Sequence, residues 1–385
     1  MSQNIWRNLK YKNVAVLLAV ILLFILIISA SCSNNGADSN KNIVSTVTKQ
    51  QKPEDAESGN KFPNNSVYLE VVNNDTLYSG NLILVNKTYE YAYKDQEPDN
   101  LTSMYQYSTT KKGKMIFAMT DSSVSVSQNF AVALKNMITD FYKETKNNTL
   151  MLRSGYRTVA EQKELYDADT DSTGAVSTKY NKEGYSESHT GLSIDLGINT
   201  DGYPTYKGTG DFQWITDNIA KYGIITRYTK DKQSITNIED EPWHLRYVGV
   251  PHAQIMTEKG LCLEEYEDFL KGYSYDKPLM YTTSDNIKYG IYFVKAGKEK
   301  TNIQIPLNEN DEQYSYEFSG NNVDGFIITV NLGEDIEAIA AQSSAAATGS
   351  LTEAAVNNST QPTQATSAGD SDSVITAATT TVPPQ

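Results

Sequence analysis

A chain of 385 residues has room for two or three domains, yet only 39% of it is apolar, so linkers or tails are expected beside the packed parts. The formal charge of -14 excludes a surface built for phosphate backbones, which rests on clustered Lys and Arg, and no nucleic-acid partner is expected. Two cysteines far apart, Cys32 and Cys262, exclude a disulfide scaffold or a thiolate metal cluster, and Cys262 within Leu261-Cys262-Leu263 reads as a buried thiol.

Arg7, Lys10 and Lys12 precede an uninterrupted apolar run from Val14 to Ile28, extended by Ser29 and Ala30. As a helix, residues 14–30 span about 25 Å, the short limit for a bilayer. The basic flank keeps the N-terminus cytoplasmic and puts the remainder outside. Residues 1–32 are therefore a membrane anchor of one of two kinds. One is an uncleaved signal anchor. The other is a lipoprotein signal, with Cys32 acylated after cleavage of Ser29-Ala30-Ser31-Cys32, where Ser29 replaces the usual aliphatic residue. Either places the protein outside the cytoplasm.

Residues 33–62, rich in Asn, Ser, Lys and Asp, read as a disordered tether. From Ser66 to Tyr93 the pattern alternates: Val67, Leu69 and Val71 mark one strand, Leu82 and Leu84 another, with Asn73-Asn74-Asp75 as a turn. Tyr89, Tyr91 and Tyr93, and then Tyr105 and Tyr107, alternate with polar residues as half-buried strands do. Ser127 is the expected cap of a helix whose apolar residues Phe130, Ala131, Leu134, Met137, Ile138 and Phe141 recur at helical spacing.

A strand at Leu150–Leu152 leads into Ser154-Gly155-Tyr156-Arg157-Thr158, where Thr158 and Glu161 have capping-box spacing for a second helix. The polar stretch from Asp167 to Glu183 reads as a surface loop. Strands are expected at 194–196, 224–228 and 244–248, and helices at 212–222 and near Leu263–Leu270. Beyond Gly272 the runs at 291–294, 303–305 and 326–330 predict a small all-β module. After Glu337 an Ala/Thr/Ser-rich stretch predicts a disordered tail. The expected organisation is anchor 1–32, tether 33–62, a catalytic-type domain 63–272, a β module 273–335 and a tail 336–385.

The three histidines, His189, His244 and His252, fall close together, with Asp195 and Glu241 beside the first two. Two His and one Asp can hold Zn²⁺ and leave a fourth position for water, which then ionises near neutral pH. Glu241, not ligating, would carry the proton, and Arg157 on its tight turn would hold an oxyanion or a substrate carboxylate. The spacings alone are weak evidence and favour a structural reading: His189 and Asp195 as a loop and a strand start, Trp243 and Tyr247 as core, Arg157 as a surface ion pair.

Four motifs in order carry a resemblance: Ser154 to Thr158 with Gln162, Ser186 to Asp195, Arg227-Tyr228, and Glu241 to Gly249. They are similar to the VanY-type D,D-carboxypeptidases. Gly80 to Lys87 looks like the start of that catalytic domain and Leu263-Glu264-Glu265-Tyr266 like its closing helix, so the likeness runs from about 80 to 272. It implies an α+β zinc fold shared with the VanX dipeptidases and the Hedgehog signalling domain, an antiparallel sheet flanked by helices, followed here by the β module. The implied substrate is a peptidoglycan stem peptide ending in D-Ala-D-Ala, from which the last D-Ala is removed. By position, Asp195 and His244 are implied as zinc ligands, Glu241 as general base, Arg157 as substrate contact and Gln162 as support.

One position departs. The family reads Ser-x-His-x-x-Gly-x-Ala-x-Asp, and Ser188 stands where its ligand His belongs; the nearest imidazole, His189, is one residue closer to Asp195. In a strand such a slip turns the side chain to the opposite face; a bulge would restore it. Three outcomes follow: His189 completes the metal site, leaving Ser188 as a substrate contact; the site keeps two ligands, giving a peptidoglycan-binding relative with impaired catalysis; or His252 stands in, although its place after Pro251 at a helix start favours a structural role.

Overall fold

The computed structural model describes residues 44–46, 61–63 and 67–339, apart from 111 and 178. The expected anchor with Cys32, most of the tether, and the tail beyond 339 lie outside the described residues. Among the described residues no helix is long and apolar enough to cross a membrane.

Short strands open the chain: β1 (Val44–Thr46) and β2 (Val67–Asn73), then β3 (Leu101–Ser103), β4 (Ala118–Met119) and β5 (Ser125–Ser127). Helix α1 (Gln128–Thr145) buries all six residues of its predicted apolar stripe and ends on Lys146 in the left-handed conformation. Ser127 holds the cap position, but its hydroxyl makes no cap bond. Strand β6 (Leu150–Ser154) runs into helix α2 (Val159–Thr173), whose Thr158–Glu161 capping box forms as expected. Then come β7 (Ser193–Ile198), α3 (Gln213–Asn218), β8 (Ile224–Tyr228), α4 (Gln233–Thr236), β9 (Glu241–Tyr247), α5 (Val250–Lys259) and α6 (Leu263–Leu270). Five strands close the unit: β10 (Leu279–Thr282), β11 (Ile287–Lys295), β12 (Lys300–Pro306), β13 (Ser315–Gly320) and β14 (Gly325–Glu334).

The expected α+β arrangement is present. The central sheet has the order β4-β6-β7-β9-β8, antiparallel except for the parallel β4–β6 pair. One face packs on α1 and the 210–222 helical turns, through Phe130, Leu134, Phe141, Leu152, Leu196, Ile215 and Leu245. A second core joins α5 and α6 to the β10-β11-β14-β13 sheet, uniting Val248, Ile255, Leu263 and Tyr266 with Ile291 and Ile327.

Four expectations are corrected. The boundary at 272/273 does not hold as drawn, because β2 pairs along its whole length with β12 and so belongs to the β module. The described residues up to Glu334 form one compact unit. Leu82 and Leu84 are not on a strand: residues 82–85 are all buried, and their backbone is satisfied elsewhere. Leu82 N–H donates to Ser319 Oγ (2.9 Å), Leu84 N–H to the Asn321 carbonyl (3.1 Å), and Arg246 Nη2 reaches the Asn81 and Ile83 carbonyls (3.0 Å each). The tyrosine alternations at 89–93 and 105–107 lie in turns and a short 3₁₀ segment. Helix α2 also continues past Asp167 to Thr173, helped by an i,i+4 Lys163–Asp167 pair, and Gly174 ends it.

His252 pins the β module to α5. Its Nδ1 lies 2.8 Å from Tyr266 Oη and its Nε2 2.9 Å from Thr329 Oγ1 on β14. Burial pushes its pKa down to about 3. The folded value lies below the ordinary 6.5, so the unfolded chain binds the proton first as pH falls. The stabilisation is complete above about pH 6.5 and is lost progressively toward pH 3. Urea titrations at pH 7 and 5 should therefore show a loss of about 2 kcal/mol from this residue alone. His252→Asn should be less stable at pH 7 and show a correspondingly smaller drop; an unchanged pH dependence would remove His252 from this role.

Candidate active site

The register of three adjacent strands builds the site. Ser154 on β6 faces Asp195 on β7, and Asp195 faces His244 on β9. Cross-strand neighbours sit close enough for direct side-chain contact, and His244 Nδ1 lies 2.6 Å from Asp195 Oδ1. On the other side of β9, Glu241 is opposite Tyr228 of β8, and the Tyr228 ring stacks on His244 at 5.1 Å.

The turn after β6 delivers Arg157. Gly155 is required there, since a Cβ would sit 2.2 Å from the Ser125 carbonyl oxygen, which instead accepts the Tyr156 N–H at 2.7 Å. Arg157 Nη2 donates to Ser188 Oγ at 2.6 Å, and its buried Nε has no partner. Arg157, Gln162, Glu187, Asp195, Glu241 and His244 line one cleft of about 640 Å³, together with Tyr206, Tyr228 and Trp243. Gln162 is anchored through Nε2 to the Asn181 carbonyl (2.6 Å), leaving its Oε1 unpartnered.

Four charged groups meet here, and their ionisation follows from position. Burial pushes the Glu241 carboxyl up to about 7; Asp195 adds to this, while His244 and Arg157 oppose it. Burial opposes charge on His244, but Asp195 and Glu187 outweigh it and raise the ring to about 9. Asp195 is held below the ordinary carboxylate range, because His244 and Arg157 overcome its burial. A carboxyl near neutral beside an arginine and an imidazole–carboxylate pair is equipped to move protons on a bound anion.

His189 is not brought to this pair. It is buried; its Nδ1 faces the Arg157 carbonyl at 2.8 Å, and its Nε2 accepts the Gly184 N–H at 3.0 Å. Both ring nitrogens thus hold loop backbone, with the proton on Nδ1. The reason is the 3₁₀ turn Glu187–Thr190, in which neighbouring residues point in different directions. Ser188 reaches Arg157 instead. His252 is held by Tyr266 on α6 and Thr329 on β14. Among the described residues no group of three or more His, Cys, Asp and Glu side chains converges as a metal site.

Sequence reasoning missed Glu187. It is fully buried, and its Oε1 accepts from Arg227 Nε (2.9 Å) and pairs with Arg246 Nη1 (3.2 Å). Arg227 is also held by Glu264 through two bonds, at 2.7 and 3.0 Å. Burial disfavours the Glu187 anion, but the two guanidinium groups keep its pKa well below the usual carboxylate range. The available signal was an arginine standing beside buried residues in each of two strands, at 227 and 246.

A match to the family described as VanY, D-alanyl-D-alanine carboxypeptidase, covers residues 123–250. A D-alanyl-D-alanine carboxypeptidase of Enterococcus faecium is 31% identical over 312 residues, spanning 81% of this chain and 94% of its own length. The bifunctional D-Ala-D-Ala dipeptidase and carboxypeptidase VanXYC of Enterococcus gallinarum is 38% identical over 128 residues, 31% of this chain and 67% of its own. Among solved structures, the vancomycin-resistance D,D-dipeptidase VanXYg in complex with a D-Ala-D-Ala phosphinate analog superposes with a TM-score of 0.58 at 32% identity. That likeness covers 69% of this chain and 99% of the other.

If His189 holds backbone, His189→Ala should cost about 1–3 kcal/mol for the stranded Gly184 N–H. Its uptake of zinc, measured by equilibrium dialysis on folded protein, should match that of the unmodified chain. A folded variant with selectively weakened uptake would make His189 a ligand after all.

Proposed function

Since the chain belongs to the VanY family of D-alanyl-D-alanine carboxypeptidases, we propose that its cleft receives the D-Ala-D-Ala end of a peptidoglycan stem peptide and that it acts there as a metallo-carboxypeptidase releasing the last D-Ala. The observation that carries this reading is the convergence of Arg157, Asp195, Glu241 and His244 on one cleft. Arg157, half-buried with a free Nε, pairs with the peptide's terminal carboxylate, a contact that planar guanidinium groups make bidentately. Gln162 offers its unpartnered Oε1 to a substrate N–H. Glu241 stands at the mouth of β9 to take and return the proton that peptide cleavage requires. The apolar run at 14–30, with its basic flank, agrees with an enzyme tethered outside the cytoplasm beside its wall substrate.

The implied zinc matches the donors at two positions and not at the third. Asp195 and His244 supply a carboxylate oxygen and an imidazole nitrogen already in contact. Ser188 supplies a neutral hydroxyl that is already accepting from Arg157, where catalytic zinc sites use a third protein ligand. This observation favours a second reading, in which the cleft binds the stem peptide without turning it over.

The deciding experiment measures zinc content and D-Ala release together, on the full-length chain supplied with zinc and a pentapeptide ending in D-Ala-D-Ala. Release is expected, falling by at least about 100-fold in Glu241→Gln. Ser188→His should raise zinc affinity and rate together. Peptide binding without zinc uptake or release would establish the second reading, and full activity in Glu241→Gln would take that residue out of the proton-transfer role.

A further inference from the structure

The His244 ring is contacted on three sides. Tyr228 covers its face, Asp195 Oδ1 meets Nδ1, and at the far edge Glu187 Oε2 lies 3.6 Å from Nε2. Both atoms of this last pair are buried and have no hydrogen-bond partner. Leaving two such atoms unmatched costs more than the bond returns when made.

Glu187 has little freedom to do anything else. Its Oε1 is fixed by Arg227 and Arg246, and Arg227 is in turn clamped by Glu264, which Asn86 also touches at 3.1 Å. A carboxylate serving only to neutralise two arginines would turn both oxygens to them. Here one oxygen is withheld and faces the imidazole.

We propose that Glu187 is the positioning residue for His244: its free oxygen receives the Nε2–H, and this sets the ring with Nδ1 toward Asp195 and the cleft. The proposal rests on the active-site reading above but concerns only ring orientation. A histidine whose far nitrogen is tied to a carboxylate presents a fixed lone pair or proton at the near one. Glu187 thereby links the cleft to the 81–86 segment and α6 without touching substrate.

The test uses the full-length chain with ¹⁵N-labelled histidine, which gives three imidazoles to resolve. Long-range ¹⁵N–¹H correlation should show His244 with a protonated Nε2, its proton slow to exchange and close in space to the Tyr228 ring. His189, by contrast, should carry its proton on Nδ1. Glu187→Asp keeps the charge for both arginines but withdraws the oxygen; it should speed exchange of the Nε2 proton at least tenfold and lower kcat more than it changes KM.

A bare Nε2 on His244 in the unmodified protein would overturn the proposal. So would a folded Glu187→Asp variant in which that proton's shift and exchange are unchanged. If the variant does not fold, the unmodified protein's spectrum decides alone. Absence of D-Ala release would count against the functional reading and would leave this measurement intact.

Discussion

A carboxylate with no access to water, placed between two arginines equally cut off, is the constraint on which the site depends. Glu187, Arg227 and Arg246 are each about 1% exposed or less. Desolvating three charges costs several kcal/mol apiece, and the cost is met only if every one keeps its partners. Removing one is therefore worth about 3–5 kcal/mol against the fold. The arrangement joins parts of the chain that are far apart: the turn at 187, β8, β9, α6 through Glu264, and the extended segment at 81–86 through Arg246. The segments at 80–87 and 263–266, which carry no cleft-lining residue, acquire a reason here. They complete the hydrogen bonding of the arginines that hold Glu187.

The same economy explains why the β module is not an appendage. The backbone of residues 82–84 finds partners on β13 and its following turn, at Ser319 and Asn321. Gly80 lies so close to Ser319 that a Cβ would come within 2.3 Å of its hydroxyl. β2 supplies the module with a strand before the central sheet begins, and β14 receives His252 from α5. A segment with no ladder of its own, lying between the module and the central sheet, must draw hydrogen bonds from both. The central sheet's support and the module's sheet thus share one core, and cutting the chain at 272 would expose Val248, Leu263 and Tyr266 on one side and Ile291 and Ile327 on the other.

What could be read from the sequence was what local chemistry determines. The stripe of α1, the Thr158–Glu161 cap, the strands at 194, 224 and 326, and the helix at 263–270 all follow from periodicity or a two-residue signal. The pairing of Asp195 with His244 also lay within reach, because the resemblance implied both as ligands of one metal, although β8 separates their strands in the chain. The role of residues 82–85 did not, since alternation reports one buried face and this segment is buried on both. The extent of α2 was hidden by polar residues that stay on an exposed helix. Glu187 was overlooked between two serines because its partners are 40 and 59 positions away in sequence; the first separation is that of its bond to Arg227, the second that of its ion pair with Arg246.

The exchange of Ser and His at 188 and 189 shows how little room the turn leaves. Each of its four residues has a separate destination. Glu187 goes to the arginines, Ser188 to Arg157 and His189 to the backbone of Gly184 and Arg157. Thr190 bonds back to the Glu187 carbonyl at 2.6 Å. A 3₁₀ turn advances about 120° per residue, so an imidazole one position late is rotated by a third of a turn. Gly191, left-handed at φ 68°, closes the turn against β5 and fixes that phase. Swinging His189 toward Asp195 would break its bonds to Gly184 and Arg157 and disturb the turn that carries Glu187 to its arginines. At the position where the resemblance implies a ligand histidine, the turn thus delivers Ser188, whose hydroxyl already engages Arg157.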